Sequence, residues 1–418
     1  MTLKPPPLRN DCFALPAGVD WTPVDEALAL LRDRLDVVTG REILPLGQAL
    51  GRVLACDVLA RRSNPPQPNT AVDGYGFAGA VPEGAHVLPL VQGRAAAGLA
   101  YEGEVPAGRA IRILTGAALP AGVDTVILEE DVTLGAEEIA FHGPLKQGAN
   151  TRKAGEDVAA GDVILSAGRV VTPADLALAT ATGLAEFEVY QPLRVGVLST
   201  GDELRDVGQT AAPGQIYDAN RPMLLALLGQ MGFTPVDLGR VRDDRAALRA
   251  RLNSAASEVD VILTSGGASA GDEDHVSALL REAGAMQEWR IALKPGRPLA
   301  LAMWDGVPIF GLPGNPVAAL VCTLIFARPA MGLMAGASWQ SPQGFEVPAG
   351  FEKRKKPGRR EYLRARMRDG RVEVFKSEGS GRISGLSWAE GLVELRDSAA
   401  DISSGDPVRF IPYDSFRL

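Results

Sequence analysis

One Gly-rich, acidic segment carries residue types suited to binding a phosphate and a cation. The apolar, β-branched run 259–264 predicts a buried parallel strand, and it leads into Ser265-Gly266-Gly267 and then Asp272-Glu273-Asp274. Glycines let backbone N–H groups turn toward an anion, and a helix predicted to begin near Asp272 would direct its positive end there. Acidic residues beside an anion cradle predict a cation between them, so we expect a phosphate-bearing ligand bridged by Mg²⁺. Taken alone, the loop could equally be a solvated helix cap.

Three more polar, Gly-rich loops adjoin strands predicted in the same region. They are Thr200-Gly201-Asp202-Glu203, Lys294-Pro295-Gly296-Arg297-Pro298 and Pro313-Gly314-Asn315-Pro316. Loops at the carboxyl ends of parallel strands meet on one edge of a sheet, where such sheets bind ligands. That edge would offer N–H groups, two cations and several carboxylates, a set suited to phosphate and Mg²⁺. Each loop alone could be ordinary turn chemistry.

Alternating strand and helix patterns position these loops. Residues 193–335 predict a three-layer α/β domain with a mainly parallel sheet. We expect strands at 194–199, 234–238, 259–264, 290–293, 299–303 and 307–312, and helices at 221–231, 244–254, 273–283 and 316–334.

The rest of the chain predicts three further domains. Residues 18–60 and 150–192 are expected to form a helical N-terminal domain, with helices from Val24 to Leu35 and from Leu46 to Leu54. Short apolar runs broken by Gly and Pro make 61–149 an inserted β-rich module, and 340–418 is expected to be a small β domain.

Composition excludes several classes of protein. A chain of 418 residues should form several domains, and a net charge of −8 argues against non-specific nucleic-acid binding. We see no membrane-spanning run and no signal-peptide core, and three separated cysteines fit a reducing cytoplasm. The three scattered histidines indicate neither a zinc cluster nor a triad, and Walker A and dinucleotide-binding motifs are missing.

Polar motifs in the N-terminal half complete an ordered series. Residues 69–77, 113–120 and 148–157 precede the four loops above. With these motifs in this order, the chain resembles the molybdopterin molybdenumtransferases of molybdenum-cofactor biosynthesis. The resemblance implies a molybdopterin-binding-like α/β domain, a C-terminal β barrel, and a homodimer with its active site across the subunit interface. It also implies Mg²⁺-assisted pyrophosphate cleavage of adenylated molybdopterin by molybdate, with release of AMP. Molybdopterin adenylyltransferase and recipient apo-molybdoenzymes are the implied partners, with neither nucleic acid nor membrane.

The resemblance also carries functional residues onto this sequence. The implied catalytic residues are Asp73, Thr115, Asp157, Glu203, Asp243 and Asp274, of which Asp274, Glu203 and Asp243 are candidate Mg²⁺ ligands. The implied substrate-binding residues are Thr200, Gly201, Asp202, Ser265, Gly266, Gly267, Lys294, Arg297, Pro298, Pro313, Gly314, Asn315, Pro316, Arg364 and Ser384. Relatives commonly have Lys at the position of Arg297, which changes donor geometry.

Local explanations compete with these roles. Asp274 could be a favourable charge in the first turn of a helix, and Asp243 could cap or precede the helix starting near Asp244. Asp73 and Thr115 could bond their own turns. At the level of function, the alternatives are a molybdopterin adenylyltransferase and a non-catalytic molybdopterin-binding scaffold. The modules around Asp73, Thr115 and Asp157 argue against the first, and the intact acidic set argues against the second.

Overall fold

The computed structural model describes residues 21–266, 275–282, 286–296 and 298–417. The chain divides into two compact units, Ile43–Val189 and the remainder. The first elements are α1 (Val24–Arg34) and β1 (Arg41–Pro45). Buried Val24, Ala27 and Leu31 repeat at helical spacing along α1 and belong to the core of the larger unit.

The smaller unit is dominated by β-strands. Its elements are β2 (Val58–Leu59), β3 (Asn69–Thr70), β4 (Gly74–Phe77), β5 (Val81–Ala95), β6 (Ala110–Ile113), β7 (Thr125–Leu128), β8 (Val132–Leu134), β9 (Glu138–Leu145), β10 (Thr151–Arg152), β11 (Val163–Leu165), α2 (Pro173–Ala181) and β12 (Glu186–Tyr190). Six of the strands form a mixed sheet in the order β7-β4-β6-β5-β9-β8. At Gly74 a Cβ would lie 1.8 Å from the Ile127 carbonyl oxygen, so only glycine lets β4 pack this closely against β7.

The helix predicted from Leu46 to Leu54 is wrong. Only a short 3₁₀ turn, Leu46–Gln48, forms there. Gly51 has φ +77°, and Val53 pairs with Val170 in an isolated bridge. Helical spacing of apolar residues was therefore overridden by strand-like pairing and by glycines that favour turns. In contrast, α2 begins with a strong helix signal, a capping box in which Thr172 and Asp175 bond reciprocally.

The larger unit contains the α/β domain. Its elements are β13 (Arg194–Thr200), β14 (Leu204–Arg205), β15 (Ile216–Tyr217), α3 (Asn220–Gln230), β16 (Thr234–Val241), α4 (Arg245–Glu258), β17 (Val261–Ser265), α5 (His275–Glu282), β18 (Met286–Arg290), β19 (Leu293–Lys294), β20 (Pro298–Trp304), β21 (Val307–Leu312), α6 (Pro316–Cys322) and α7 (Arg328–Met334).

The sheet of this domain is mainly parallel, which confirms the predicted fold class. Its order is β16-β13-β17-β21-β20-β18, and the strands from β16 to β21 run parallel, while β20 is antiparallel to both its neighbours. Alternate residues of β17 enter two different cores: Val261 and Leu263 pack with α3 and α6, and Ile262 packs with α4 and α5. The sheet is thus covered on both faces, as the unbroken apolar strands predict.

Two details of this domain differ from the sequence prediction. The strand predicted at 290–293 is two strands, because β18 pairs with β20 whereas β19 pairs with a strand of the C-terminal domain. The last long helix, Pro316–Met334, has a π-helical segment at Thr323–Ala327. With a mean hydropathy of 1.9 it is long and apolar enough to cross a membrane, but 89% of it is buried inside the protein, as expected of a core helix.

The C-terminal β domain follows. Its elements are β22 (Phe345–Pro348), β23 (Lys353–Lys355), β24 (Arg360–Arg368), β25 (Arg371–Val374), α8 (Ser384–Trp388), β26 (Gly391–Leu395), β27 (Ala400–Ile402) and β28 (Pro407–Pro412). The main sheet has the order β19-β24-β26-β28-β22, with β25 beside β24. Its own core includes Leu363, Val393 and Phe410. The predicted limits of the four domains stay a prediction.

Candidate functional site

The polar loops of the α/β domain meet on one edge of the sheet, as far as they are described. Ser199 pairs with Ser265, Ser265 pairs with Leu312, and Thr200 pairs with Val241. The loops that leave β13, β16, β17 and β21 therefore begin at the same level. The backbone of Pro298 begins β20, which is antiparallel to β21, and so it lies at the same edge.

Close backbone approaches shape this edge. Gly266 has φ +92°, and a Cβ there would lie 2.7 Å from the Thr200 carbonyl oxygen. Its N–H donates to the Leu312 carbonyl at 3.3 Å. Gly201 has φ +147°, a conformation that favours glycine, although the atom nearest to a Cβ there would be the movable end of the Glu203 side chain, at 2.6 Å. At Gly266 glycine is required for a further reason, because the close neighbour is backbone.

Asn220 joins two of the loops, and the sequence analysis missed it. Its Nδ2 donates to Ser265 Oγ and to the Gly314 carbonyl, both at 2.8 Å, and the residue is only 6% exposed. The available signal was a polar residue at the start of the apolar helix α3. The hydrogen bonds hold the end of β17 and the loop after β21 at a fixed separation.

A cavity of about 100 Å³ opens between these loops. Its lining comprises Thr200, Glu203, Leu204, Ile216, Tyr217, Asp218, Ala219, Asn220, Ser265, Gly266, Gly314 and Pro316. Among the described residues, Thr200 Oγ1 and Asn220 Oδ1 are buried here without a hydrogen-bond partner. Buried polar atoms normally have partners, so this wall is suited to a polar ligand.

Two carboxylates connect the loops that follow β13 and β16. Asp202 and Asp243 hold each other's loops together: the N–H of Asp202 donates to Asp243 Oδ2 at 3.2 Å, and the N–H of Asp243 donates to Asp202 Oδ1 at 3.4 Å. Asp244, not Asp243, caps α4 by accepting from the N–H of Ala247. Glu203 lines the cavity and is exposed. The part of the chain that the structure describes contains no group of three metal-ligating side chains. Asp274, Gly267 and Arg297 lie outside the described residues.

The predicted cations are in contact with other protein groups. Lys294 Nζ lies 2.5 Å from Glu378 Oε2 and 3.5 Å from Glu361. The buried Arg364 donates to the carbonyls of Arg382, Ser377 and Gly379, and burial lowers its pKa.

The remaining predicted substrate-binding residues begin or precede secondary-structure elements. Ser384 is the first residue of α8, and the backbone of Pro298 is the start of β20. Pro313 follows β21, and Pro316 occupies the first turn of α6. Asn315 occupies the cap position of that helix, but its side chain makes no cap hydrogen bond.

The smaller unit holds the other predicted acids. Both the N–H and the Oγ1–H of Thr115 donate to Asp73 Oδ1, at 2.6 and 2.8 Å. These hydrogen bonds hold the pKa of Asp73 below its ordinary value. Asp157 accepts from Asn64 Nδ2 at 2.9 Å. The structure thus brings Asp73 and Thr115 together.

Comparison with known proteins accounts for almost the whole chain. Residues 22–183 match the family described as the MoeA N-terminal region (domain I and II), residues 196–332 match a probable molybdopterin binding domain, and residues 346–413 match the MoeA C-terminal region (domain IV).

Whole relatives agree with these matches. The molybdopterin molybdenumtransferase of Haemophilus influenzae is 35% identical over 94% of this chain and 98% of its own length. Molybdopterin molybdenumtransferase 2 of Mycobacterium tuberculosis is 34% identical over 87% of this chain and 92% of its own. The crystal structure of the molybdopterin biosynthesis MoeA protein of Pyrococcus horikoshii has a TM-score of 0.81 at 28% identity, covering 94% of this chain and 100% of that one. The chain therefore belongs to the molybdopterin molybdenumtransferases, a family of transferases in molybdenum-cofactor biosynthesis.

Proposed function

We propose that this protein inserts molybdenum from molybdate into adenylated molybdopterin, with Mg²⁺-assisted pyrophosphate cleavage and release of AMP. The observation that carries the proposal is the cavity at the sheet edge, where buried polar atoms and the close-packed Gly266 adjoin the exposed carboxylate of Glu203. Such a wall suits the phosphates of a nucleotide-like substrate. The family relationship supplies the identity of that substrate.

The residues at this edge have distinct tasks in the proposed reaction. The hydroxyl of Thr200 can donate to phosphate oxygens, and Asn220 holds Ser265 and Gly314 in place beside them. Glycine at 266 allows the backbone to approach without a side chain in between. Fixed donors of this kind stabilise charge that develops on a leaving phosphate.

The carboxylates of these loops are ligands of the kind that Mg²⁺ prefers. Glu203 and Asp243, together with Asp274, would hold the ion. When bound, Mg²⁺ would offset the charge of the pyrophosphate. Asp202 and Asp243 already hold their two loops together through backbone hydrogen bonds, so Asp243 has a fixed position.

Partners and location belong to the same proposal. We expect a cytoplasmic homodimer that receives its substrate from a molybdopterin adenylyltransferase and supplies apo-molybdoenzymes. The smaller unit would contribute Asp73, Thr115 and Asp157 to an active site completed by the partner subunit.

Molybdate-dependent AMP release tests the proposal. Purified protein is mixed with adenylated molybdopterin, Mg²⁺ and molybdate, and AMP is followed by chromatography. We expect AMP release that needs molybdate, that stops when EDTA removes Mg²⁺, and that yields a product able to activate a cofactor-free molybdoenzyme. Asp274→Ala should lose this activity, while Glu346→Ala, which removes an exposed carboxylate on β22, should retain it.

An intact substrate would overturn the transferase function. Formation of the adenylated compound from ATP and molybdopterin would then indicate an adenylyltransferase. Full retention of molybdopterin binding without turnover in either assay would indicate a scaffold.

A further inference from the structure

A loop of the C-terminal domain places a carboxylate between two lysines near the sheet edge. Glu378 lies in the segment 377–382, between β25 and α8. One of its oxygens is 2.5 Å from Lys294 Nζ, and the other forms a short ion pair with Lys353. A second carboxylate, Glu361, lies 3.1 Å from Lys353 and 3.5 Å from Lys294. The two lysines thus share two carboxylates.

The segment is anchored through its backbone and not through its one acidic side chain. Arg364 donates to the carbonyls of Ser377 and Gly379, at 2.5 and 3.2 Å, and the N–H of Val317 donates to the Ser380 carbonyl at 3.3 Å. These contacts place the segment beside the start of α6. None of these anchoring bonds involves the Glu378 side chain, so it can turn away without loss of the anchors.

The two carboxylates differ in how easily they can leave. The Glu361 side chain is 7% exposed and lies on β24, which has strands on both sides, whereas the Glu378 side chain is 46% exposed. Glycines at 379 and 381 follow Glu378 and lower the cost of a local backbone change. Glu378 is therefore the group that an incoming anion can replace.

Both partners of the ion pair stay charged near neutral pH. Burial opposes ionisation of Glu378, but hydrogen bonds from Lys294 and Lys353 hold its pKa below the ordinary value. Burial likewise opposes the charge of Lys353, while its bonds to Glu378 and Glu361 raise its pKa. Without Glu378, the corner would carry two lysines against one carboxylate, a net positive charge that suits a small dianion.

Lys294 is already expected to bind substrate from the family resemblance. We propose that Lys353 joins it in holding a tetrahedral dianion of the molybdate type, and that Glu378 is a built-in counter-ion which this anion displaces. The inference rests on the proposed function for the identity of the anion. Lys353 thereby becomes a binding residue, and Glu378 sets the affinity of the site. An internal competitor lowers the apparent affinity by the fraction of molecules in which the site is open.

Direct binding of molybdate to the full chain tests this. Equilibrium dialysis measures the molybdate dissociation constant of the wild type, Glu378→Gln and Glu378→Ala. Removing an internal competitor should tighten binding about tenfold in both variants. Lys353→Gln and Lys294→Gln should weaken it by a similar factor. Glu373→Gln, which removes an exposed partner of Arg366 in the same domain, is the matched control and should bind as the wild type does.

If the ion pair only stabilises the fold, removing Glu378 should not improve molybdate binding. Glu378→Gln and Glu378→Ala would then bind molybdate no tighter than the wild type, and that result would overturn the proposal. Equal affinity of Lys353→Gln and wild type would overturn it as well. The transferase function fails separately: tightened molybdate binding without any AMP release would leave the oxyanion site intact and remove only the reaction.

Discussion

At the scale of single residues, Asp73 shows how a surface carboxylate can be given a fixed position and charge. The Asp73 side chain is exposed to solvent, yet Thr115 directs two donors at one of its oxygens. Donors to the charged form favour ionisation, so Asp73 is anionic to a lower pH than a free aspartate. An ionised, oriented carboxylate is what a role in binding or orienting a substrate requires.

Replacing Thr115 with valine should raise the pKa of Asp73. Valine removes the hydroxyl donor but keeps the backbone donor, so the pKa should move part of the way back to its ordinary value. The stability linked to this group is present above the unfolded pKa and is lost as the pH falls through the folded pKa; in the variant that loss begins at higher pH. Carboxyl ¹³C NMR titration of Asp-labelled protein measures the change. Thr115→Ser should retain the low pKa, and equal values for Val and Thr at 115 would contradict the expectation.

The amide of Asn220 should matter for both stability and activity. Asn220→Ala leaves the buried Ser265 hydroxyl and Gly314 carbonyl without their donor, which should cost about 1–3 kcal/mol of unfolding free energy in a urea titration. Because the two loops would lose their fixed separation, AMP release should also fall about tenfold or more.

Asn253→Ala provides the control for this variant. It removes the acceptor of Trp304 Nε1, at 2.9 Å, away from the sheet edge. It should lower stability without lowering the activity per folded molecule. Equal activity losses in both variants would show that Asn220 acts only through folding.

At the scale of elements, periodicity predicted much of the fold. The strands of the α/β domain were recognisable because both faces are buried, which gives unbroken apolar runs such as Val261–Ser265. The helix predicted at 46–54 failed because glycine φ angles and pairing with distant strands are not local properties. Asn220 was missed for the same reason: its partners lie 45 and 94 residues away in sequence.

Comparing alanine variants of two glycines distinguishes the cost of backbone strain from the cost of lost close packing. Gly266 and Gly239 both have positive φ, so alanine is strained at either position. Only at Gly266 would the new Cβ meet another atom within 4 Å, the Thr200 carbonyl oxygen at 2.7 Å. Gly239→Ala should cost about 1 kcal/mol, as measured by urea unfolding. Gly266→Ala should cost more and should also abolish AMP release, since the loop ends would be forced apart. Similar losses in both variants would contradict a packing role for Gly266.

At the scale of the whole molecule, the residues assigned to one reaction lie in two separate units of the chain. Asp73, Thr115 and Asp157 belong to residues 43–189, whereas Glu203 and Asp243 belong to the larger unit. Under the proposed function both groups act on one substrate. They must therefore come together either within one chain or between two chains of a homodimer.

Mixing two inactive variants distinguishes these arrangements. Asp73→Asn removes a predicted catalytic residue of the smaller unit, and Asp274→Ala removes one of the larger unit. The two proteins are unfolded and refolded together, so that subunits reassort. If each active site combines two chains, every heterodimer has one site free of both substitutions, and the mixture should recover about a quarter of wild-type AMP release. If each site lies within one chain, every site carries a substitution and the mixture stays inactive. Each variant refolded alone is the control, and its activity sets the background. Recovery would also place Asp73 opposite the partner's α/β domain, because only then does a heterodimer contain an intact pair of Asp73 and Asp274.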